Sequence, residues 1–351
     1  MKVVVTDANS RVALAVVRAL GRAGHRVLAV EQRRFASRTP AAFVSRHVSD
    51  RRVLPDLEDG FVAALAEVSE DADVVIPVST NVLLAVARER SPKVPVPPLE
   101  TMLRANDKMS VLDVARRAGV PVPEIYSPGN ARFPAVVKMR DDAGTYLDPG
   151  ERYRIVSDAA EMREALAAFP SAVVQEKVEG DARGCGFLAR DGELLAAFCH
   201  RRVREYPIAG GPSAMCESIV DGTLTAHARA LARELRWTGV AMAEFKGGRL
   251  LEINPRFWGS LPLALRAGIN FPDLLCRMAA GQAVGPVGSY RAGVRLRFLM
   301  LDLAAAWQAM RARRGRTVGG FLRDLLDPRV SDGILELDDL RASMAYVASR
   351  V

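Results

Sequence analysis

The sequence predicts an α/β domain with a doubly wound parallel sheet, then an α+β domain with an antiparallel sheet, and a mostly helical C-terminal segment. Two observations support this fold class. Near the N-terminus, short apolar strands such as Lys2–Thr6 alternate with helical stretches such as Arg11–Ala23, which is typical of parallel strands joined by helices. From Phe133 onward, strand-like runs follow one another through short turns, which is typical of antiparallel pairing.

The N-terminal elements follow one another in a regular order. Gly24 is expected to end the first helix, and the runs His25–Glu31 and Asp71–Ser79 are predicted strands. A helix is expected over Asn81–Arg90. The proline-rich segment Ser91–Glu100 indicates an exit from this domain.

The middle of the chain begins as helix and then changes to strand. Residues 99–129 carry a helical pattern in which Asn106 or Asp107 is a candidate N-cap and Gly119 a stop signal. A further helix is expected over Ser157–Phe169. Strands are predicted at Phe133–Arg140, Ser171–Gly180, Gly184–Arg190, Asp191–Val203, Gly239–Phe245, Arg249–Arg256 and Gly293–Met300.

The charge of the chain is basic, and most of it comes from arginine. Of 49 basic residues only six are lysine, and with 41 acidic residues the net charge is +8. The cluster Arg311–Arg316 lacks the interleaved aromatic residues of a single-strand nucleic-acid binder, so it is interpreted as a solvated helix end. We expect no nucleic-acid partner, because a basic protein equally suits an anionic small molecule.

Segments for export or membrane insertion are not expected. No apolar run approaches the ~20 residues of a membrane span, and the N-terminus lacks a small-residue cleavage site. The four cysteines are scattered, without a CxxC pair or zinc spacing. We therefore expect a cytoplasmic protein with reduced thiols and no membrane partner.

Several common nucleotide-binding and catalytic motifs do not occur in the sequence. The turn after the first strand, Thr6–Arg11, contains no glycine, so the GxGxxG fingerprint of dinucleotide binding is missing there. The sequence contains no Walker A, GxSxG or HExxH motif. NAD is therefore not an expected cofactor.

The strongest chemical signal is an acidic hairpin near residue 250. Glu252 and Asn254 share one face of a predicted strand, because side chains alternate along a strand. An odd loop, such as Lys246–Gly248, would bring Glu244 to the same face, where two close carboxylates repel each other unless a cation or a proton intervenes. Carboxylates and an amide oxygen are ligands that Mg²⁺ prefers. The alternative is a solvated sheet face, but the aromatic pair Phe257–Trp258 directly afterwards favours a packed site.

Two of the rare lysines lie upstream of this hairpin. Lys138 ends an apolar strand-like run, and Lys108 lies at the start of a predicted helix, where anions are stabilised. Each lysine alone is typical of a protein surface. Beside a magnesium site, the pair favours a polyphosphate ligand.

The order of these motifs resembles the ATP-grasp superfamily, most closely its carbamoyl-phosphate-synthase-like and carboxylate–amine ligase branch. The resemblance runs from Met1 to about Met278 and rests on the segments Asp107–Lys108, Pro134–Lys138, Val173–Gly180, Ala243–Phe245 and Leu250–Pro272. It implies an N-terminal α/β domain followed by a two-lobed ATP-grasp fold with an antiparallel sheet. The implied divisions are an N-terminal domain at 1–98, an ATP-grasp domain at 99–281 with lobes 99–180 and 181–281, and a C-terminal helical segment at 282–351.

The resemblance implies nucleotide-binding roles for several residues. Lys108 and Lys138 would contact the phosphates of ATP. Asp181 is the best candidate for the ribose hydroxyls, although the family more often has a glutamate nearby. The main chain would bind the adenine edge at Glu176, Lys177 and Val178.

The resemblance also implies roles for the polar residues of the hairpin. Glu252 would bridge two Mg²⁺ (or Mn²⁺) ions, Glu244 would bind one of them and Asn254 the other. Arg256 would stabilise the transferring phosphoryl group.

Two further arginines are candidate contacts for substrate or phosphate. Arg202 follows His200 in a segment that approaches the phosphates in similar ligases, and the alternative is an exposed basic edge strand. Arg295 alternates with Arg297 on one strand face and is a candidate for holding a substrate carboxylate. His200 itself is expected to be structural.

The expected activity is that of an ATP-dependent ligase, which joins a carboxylate to an amine, often an amino acid, through an acyl-phosphate and releases ADP and phosphate. Its partners would be small-molecule carboxylate and amine substrates, and a homodimer is a candidate assembly. Two alternatives stay open: ATP-dependent carboxylation or carbamate phosphorylation, and a nucleotide-binding regulatory protein without turnover. The regulatory alternative is favoured by Met139–Ile155, which has only two glycines where the family usually has a glycine-rich lid.

Overall fold

The computed structural model describes residues 1–89, 93–127, 129–141, 151–169, 171–287 and 289–349. They form a four-stranded parallel sheet, a four-stranded antiparallel sheet and a seven-stranded sheet. The predicted mixed architecture, with a parallel N-terminal sheet and antiparallel sheets after it, is confirmed. Within the described ranges, no helix has both the length and the apolar character needed to cross a membrane.

The N-terminal sheet has the strand order β3-β2-β1-β4, and every neighbouring pair is parallel. Its elements in chain order are β1 (Lys2–Val5), α1 (Arg11–Arg22), β2 (Arg26–Gln32), β3 (Asp50–Leu54), α2 (Phe61–Val68), β4 (Val74–Ile76) and α3 (Thr80–Arg88). Sequence reasoning missed β3, because this edge strand is charged and mostly exposed and lacks an apolar run. Ser79 caps α3 by accepting a hydrogen bond from the N–H of Val82, so this helix begins one residue before the predicted start.

The second sheet has the strand order β5-β8-β6-β7, and its neighbours are antiparallel. Its segment comprises α4 (Leu99–Asn106), α5 (Lys108–Arg117), β5 (Ile125–Tyr126), β6 (Ala135–Met139), β7 (Tyr153–Val156), α6 (Ala159–Ala168) and β8 (Ala172–Glu176). Of the two predicted caps, Asp107 is the N-cap of α5, since its carboxylate accepts from the N–H groups of Met109 and Ser110.

The seven-stranded sheet has the order β13-β12-β9-β10-β11-β14-β15. Only the last pair, β14 with β15, is parallel. The strands are β9 (Ala182–Arg190), β10 (Glu193–Glu205), β11 (Ser213–Ile219), β12 (Gly239–Lys246), β13 (Arg249–Asn254), β14 (Arg295–Arg297) and β15 (Val330–Asp332). The accompanying helices are α7 (Gly222–Glu234), α8 (Leu261–Ala267), α9 (Phe271–Ala279), α10 (Leu299–Arg311), α11 (Gly315–Leu326) and α12 (Leu340–Ala348).

One large apolar core joins the N-terminal sheet to one face of the seven-stranded sheet. It contains residues of β1, α1, α8 and α9, together with Phe257 and Trp258, which are both fully buried. A side chain at Gly186 would overlap the Trp258 indole, so this glycine makes room for the ring. The packed environment expected after the acidic hairpin is therefore present, and it holds the end of β13 against the N-terminal part of the chain.

Candidate active site

Glu244 and Glu252 lie directly opposite each other on the antiparallel strands β12 and β13. The loop between the strands contains only Gly247 and Gly248, both with positive φ angles, 51° and 79°. The predicted odd loop is therefore wrong. A two-residue loop alone would pair Glu244 with Leu251, but a β-bulge inserts Leu251 as an extra residue and moves Glu252 into register. The prediction that both glutamates share a face is confirmed, and the bulge is the cause.

The two carboxylates meet at the side chain of Asn254. Its Nδ2 lies 3.0 Å from Oε1 of Glu244 and 3.3 Å from Oε1 of Glu252. Burial raises the pKa of Glu244, and the neighbouring charge of Glu252 adds to this, while the contact with Arg202 opposes it. The arrangement therefore concentrates negative charge in a poorly solvated place, where a cation stabilises it.

The donor set of this hairpin fits a hard divalent cation. Among the described residues, no group of three or more His, Cys, Asp and Glu side chains could hold a metal. The candidate set in the hairpin differs from such a group, because it consists of two carboxylates and one amide. The Oδ1 of Asn254 faces Arg256, whose Nη2 lies 3.3 Å away, and not the carboxylates. Rotation of the amide would exchange its nitrogen and oxygen and present a third oxygen ligand.

Arg202 supplies a positive charge to this acidic pair. Its guanidinium donates hydrogen bonds to Glu244, to Glu205 (3.1 Å) and to the carbonyl oxygen of Gly211 (2.8 Å). Burial lowers the pKa of Arg202, but Glu244 and Glu205 together outweigh burial and raise it. Strand β10 lies between β9 and β11, so the alternative of an exposed edge strand is wrong.

Both predicted phosphate lysines are buried, and they lie near each other. Lys108 is the first residue of α5, and Lys138 lies on β6. The pKa of Lys138 is lowered to about 8, mainly by burial; the charge of Glu252 opposes this decrease, and the charge of Lys108 contributes to it. The Nζ of Lys138 donates to the carbonyl oxygen of Leu251, the bulged residue, over 3.1 Å. The structure therefore brings Lys138 against the acidic hairpin.

The predicted adenine segment runs from the end of β8 toward β9. The N–H of Glu176 donates to the carbonyl oxygen of Glu124 over 2.8 Å, so this donor already has a partner, and the Glu176 carboxylate pairs with Arg249. Lys177 pairs with Glu179, and Val178 is buried. Asp181 is exposed and lies 3.5 Å from Arg183. Their roles in ATP binding stay predictions.

Arg256 lies between the hairpin and the N-terminal part of the chain. Its Nε donates to Oγ1 of Thr80 over 3.1 Å, and its Nη1 donates to the carbonyl oxygen of Phe257 over 3.0 Å. Sequence reasoning missed Thr80, since nothing in the sequence links residues that lie 176 positions apart. The guanidinium is therefore held from both sides beside the candidate metal ligands.

Two other residues that were considered from the sequence, Arg295 and His200, have different surroundings. Arg295 is in register with Glu217, which is in register with Arg201. Because neighbouring residues on a strand face opposite sides, Arg295 and Arg202 lie on opposite sheet faces, so the structure does not bring Arg295 to the hairpin. His200 is buried, and its Nε2 lies 3.1 Å from Oγ of Ser260. The central residues of the predicted lid, 142–150, lie outside the described residues.

Comparisons with known proteins identify the fold. Residues 168–300 match the family described as "ATP-grasp in the biosynthetic pathway with Ter operon". Among solved structures, the biotin carboxylase–β,γ-ATP complex from Campylobacter jejuni superposes with a TM-score of 0.65 and 16% identity, over 84% of this chain and 74% of that chain. The chain has an ATP-grasp fold. The resemblance to the ATP-grasp superfamily noted from the motifs is thereby confirmed.

Two further relatives show the chemical range of similar proteins. The L-amino acid ligase from Bacillus licheniformis superposes on this chain with a TM-score of 0.62 and 16% identity, over 82% of this chain and 77% of that chain. A curated relative from Pyrobaculum neutrophilum, 5-formaminoimidazole-4-carboxamide-1-(β)-D-ribofuranosyl 5′-monophosphate synthetase, is 29% identical over 185 residues, or 51% of this chain. The chain spans about half the length of that relative (50%).

Proposed function

We propose that this protein is an ATP-dependent ligase that joins a carboxylate to an amine, often an amino acid, through an acyl-phosphate, and releases ADP and phosphate. The observation that carries the proposal is the grouping of Glu244, Glu252 and Asn254 beside Arg256 on one sheet face. Similarity to an L-amino acid ligase and to a ribonucleotide synthetase supports a ligase reaction.

Magnesium would be held by the two carboxylates and the amide oxygen of the acidic hairpin. Bound there, Mg²⁺ (or Mn²⁺) would neutralise charge on the β- and γ-phosphates of ATP. Lys138 contacts the hairpin strand through Leu251, and it would bind phosphate from its position on β6. Lys108, at the N-terminus of α5, would add a second positive charge.

The residues of the chain would promote phosphoryl transfer by positioning the reacting groups and by stabilising the charge on them. A carboxylate oxygen of the substrate attacks the γ-phosphorus, the bond to the β,γ-bridging oxygen breaks, and ADP leaves. Arg256 would stabilise the charge on the transferring group and on the acyl-phosphate that results. The amine then attacks the acyl carbon, loses a proton, and phosphate leaves.

The nucleotide product distinguishes this reaction from adenylation. ATP turnover would be measured with a panel of amino acids and other carboxylates, and ADP and AMP would be quantified separately. With the correct carboxylate, hydroxylamine should intercept the acyl-phosphate as a hydroxamate, in step with ADP. Arg256→Ala should slow this partial reaction by about 10²-fold, whereas Arg229→Ala, an exposed residue of α7, should leave it unchanged.

Each alternative has its own outcome in this assay. AMP as the stoichiometric product would contradict the proposal. ADP release that needs bicarbonate and no amine would indicate carboxylation, the reaction class of the biotin carboxylase that shares the fold. ATP binding without turnover across the panel would indicate the regulatory alternative.

We also propose the division into an N-terminal domain at 1–98, an ATP-grasp domain at 99–281 and a C-terminal segment. Expression of residues 99–281 as a separate fragment would test this division.

A further inference from the structure

Large apolar side chains are concentrated on the surface of the C-terminal part of the chain. Among the described residues, eleven of the fifteen large apolar side chains that are exposed lie between residues 300 and 344. Seven of them belong to α10 and α11, which we call the α10–α11 hairpin (residues 299–326): Met300, Leu303, Trp307 and Met310 on α10, and Leu322, Leu325 and Leu326 on α11. Trp307 is 60% exposed. Such concentrations on a protein surface mark interaction sites.

The acidic residues of the α10–α11 hairpin face the protein interior. Its only acids are Asp302 and Asp324, which are 0% and 1% exposed. Asp302 accepts two hydrogen bonds from Arg204, at 2.6 and 2.8 Å. Asp324 pairs with Arg204 and, over 2.9 Å, with Arg295. Buried ion pairs to the sheet therefore neutralise both acids.

The charges on the outer surface of the hairpin are consequently all positive. Its arginines are exposed, and they lie at the end of α10, in the turn between the helices and on α11: Arg311, Arg313, Arg314, Arg316 and Arg323. The surface therefore combines apolar side chains with guanidinium groups and has no exposed carboxylate. Tryptophan, leucine and arginine in this combination are typical of protein surfaces that bind anionic membranes.

A depression at the α11 end of the α10–α11 hairpin is also rich in arginine. Its volume is about 650 Å³, and it is lined by four arginines, two acids and a leucine: Arg201, Arg295, Arg323, Arg329, Glu217, Asp327 and Leu326. Glu217 pairs with Arg201 over 2.9 Å, and Asp327 pairs with Arg329 over 2.9 Å. Guanidinium groups thus outnumber carboxylates two to one, which suits a phosphate-bearing headgroup.

We propose that the α10–α11 hairpin is a docking surface for an anionic lipid bilayer. Trp307 and its apolar neighbours would enter the boundary between headgroups and acyl chains, while the arginines contact lipid phosphates. A second copy of the chain fits this surface poorly, because a twofold contact would bring the same arginines together without an exposed acid of the hairpin to pair with them.

Docking in this way leaves the candidate active site accessible. Asp324 of α11 contacts Arg295, which lies on the sheet face opposite to the one that carries Arg202 and Glu244. The docking surface is also separate from the candidate active site, because none of its residues belongs to the acidic hairpin. This inference differs from the sequence expectation that Arg311–Arg316 is only a solvated helix end and that there is no membrane partner.

The experiment uses the full chain and sucrose-loaded vesicles of phosphatidylcholine alone or of an equal mixture with phosphatidylglycerol. The protein should sediment with the mixed vesicles at low salt and be released at high salt, because surface charge attraction is screened. Tryptophan emission should shift to the blue on binding. Trp237 and Trp258 are fully buried, so the shift reports on Trp307.

Matched variants distinguish the contribution of the α10–α11 hairpin to vesicle binding from that of other exposed residues. Arg314→Glu with Arg316→Glu should weaken partition to mixed vesicles by about tenfold or more, and Trp307→Gln should weaken it and remove the spectral shift. Arg229→Glu with Arg341→Glu, and Leu337→Gln, change exposed residues outside the hairpin and should have no effect. Unchanged unfolding temperatures would establish that each variant is folded.

Three outcomes would overturn the proposal. The first is no sedimentation with the mixed vesicles at low salt. The second is equal binding to both kinds of vesicle, or equal binding by the Arg314→Glu/Arg316→Glu variant. The third is a dimer in sedimentation equilibrium that Trp307→Gln dissociates, since the hairpin surface would then be occupied by a second copy of the chain.

Discussion

The Nε of Arg256 donates a hydrogen bond to Oγ1 of Thr80 over 3.1 Å, and this bond joins the end of the acidic hairpin to the first residue of α3. The start of α3 is itself fixed to the turn that follows β1. The carboxylate of Asp7 accepts from the N–H groups of Val78 (3.2 Å) and Ser79 (2.9 Å). The N-terminal part of the chain therefore positions the guanidinium that we expect to stabilise the transferring phosphoryl group.

Replacing Thr80 tests this positioning role. Thr80→Val removes the acceptor of the Arg256 hydrogen bond, and we expect kcat for ADP formation to fall about tenfold, the scale of one such bond. The KM for ATP should change little, because the bond orients the phosphoryl contact and not the nucleotide. Thr80→Ser keeps the hydroxyl and should restore most of kcat. Equal kcat in the valine and serine variants would contradict a positioning role.

Replacing the candidate metal ligands should abolish turnover without unfolding the protein. Glu252→Gln and Asn254→Ala each remove an oxygen ligand from the hairpin, so Mg²⁺-dependent ADP release should become undetectable. Thermal unfolding should stay near that of the wild type, because both side chains are only partly buried. Glu193→Gln, an exposed change at the start of β10, is the control. Near-normal ADP release by either ligand variant would refute the metal assignment.

The two loop glycines should differ in how much they tolerate a side chain. Both have positive φ angles, so alanine costs about 1 kcal/mol at either position. A Cβ at Gly247 would also overlap the carbonyl oxygen of Glu179, whereas a Cβ at Gly248 meets no neighbouring atom within 4 Å. Gly247→Ala should therefore lower the free energy of unfolding clearly more than Gly248→Ala. Denaturant titration of both variants measures the difference, and equal losses would show that the close approach to Glu179 costs nothing.

Glu31 should make the protein less stable as the pH rises. Burial raises the pKa of Glu31 from 4.5 to about 7, and the charge of Asp7 adds to the increase. The folded state therefore binds this proton more tightly than the unfolded chain, so the contribution to stability is complete below pH 4.5 and is lost as the pH rises through 7. The free energy of unfolding should fall by up to about 3 kcal/mol across this range.

The variant Glu31→Gln isolates this titration. Its absolute stability will differ, because the Glu31 carboxylate accepts from the N–H groups of Asn9 (2.7 Å) and Gln32 (2.8 Å) and an amide offers one oxygen only. The comparison therefore concerns the slope of stability against pH between 4.5 and 7.5. A wild-type slope that matches the slope of the variant would contradict the raised pKa.

The sequence predicted the residue types of the candidate site better than their geometry. Alternation along β13 placed Glu252 and Asn254 on one face, because the period of a strand is set by local backbone geometry. The bulge at Leu251 was not predictable, since nothing in the local pattern distinguishes it from an odd loop. Long-range contacts such as those of Thr80 and Arg202 depend on how the sheets pack. The charged edge strand β3 lacked the apolar pattern from which strands are inferred.

The bulge at Leu251 has a consequence for the proposed binding of ATP. Leu251 is the extra residue in the ladder, and its carbonyl oxygen holds the ammonium of Lys138, which belongs to the other antiparallel sheet. This bond connects β6 of the four-stranded antiparallel sheet to β13 of the seven-stranded sheet. If Lys138 binds phosphate as we propose, its ammonium must exchange the Leu251 carbonyl oxygen for a phosphate oxygen. The measured affinity for ATP would then be the difference between these two contacts and not the strength of one.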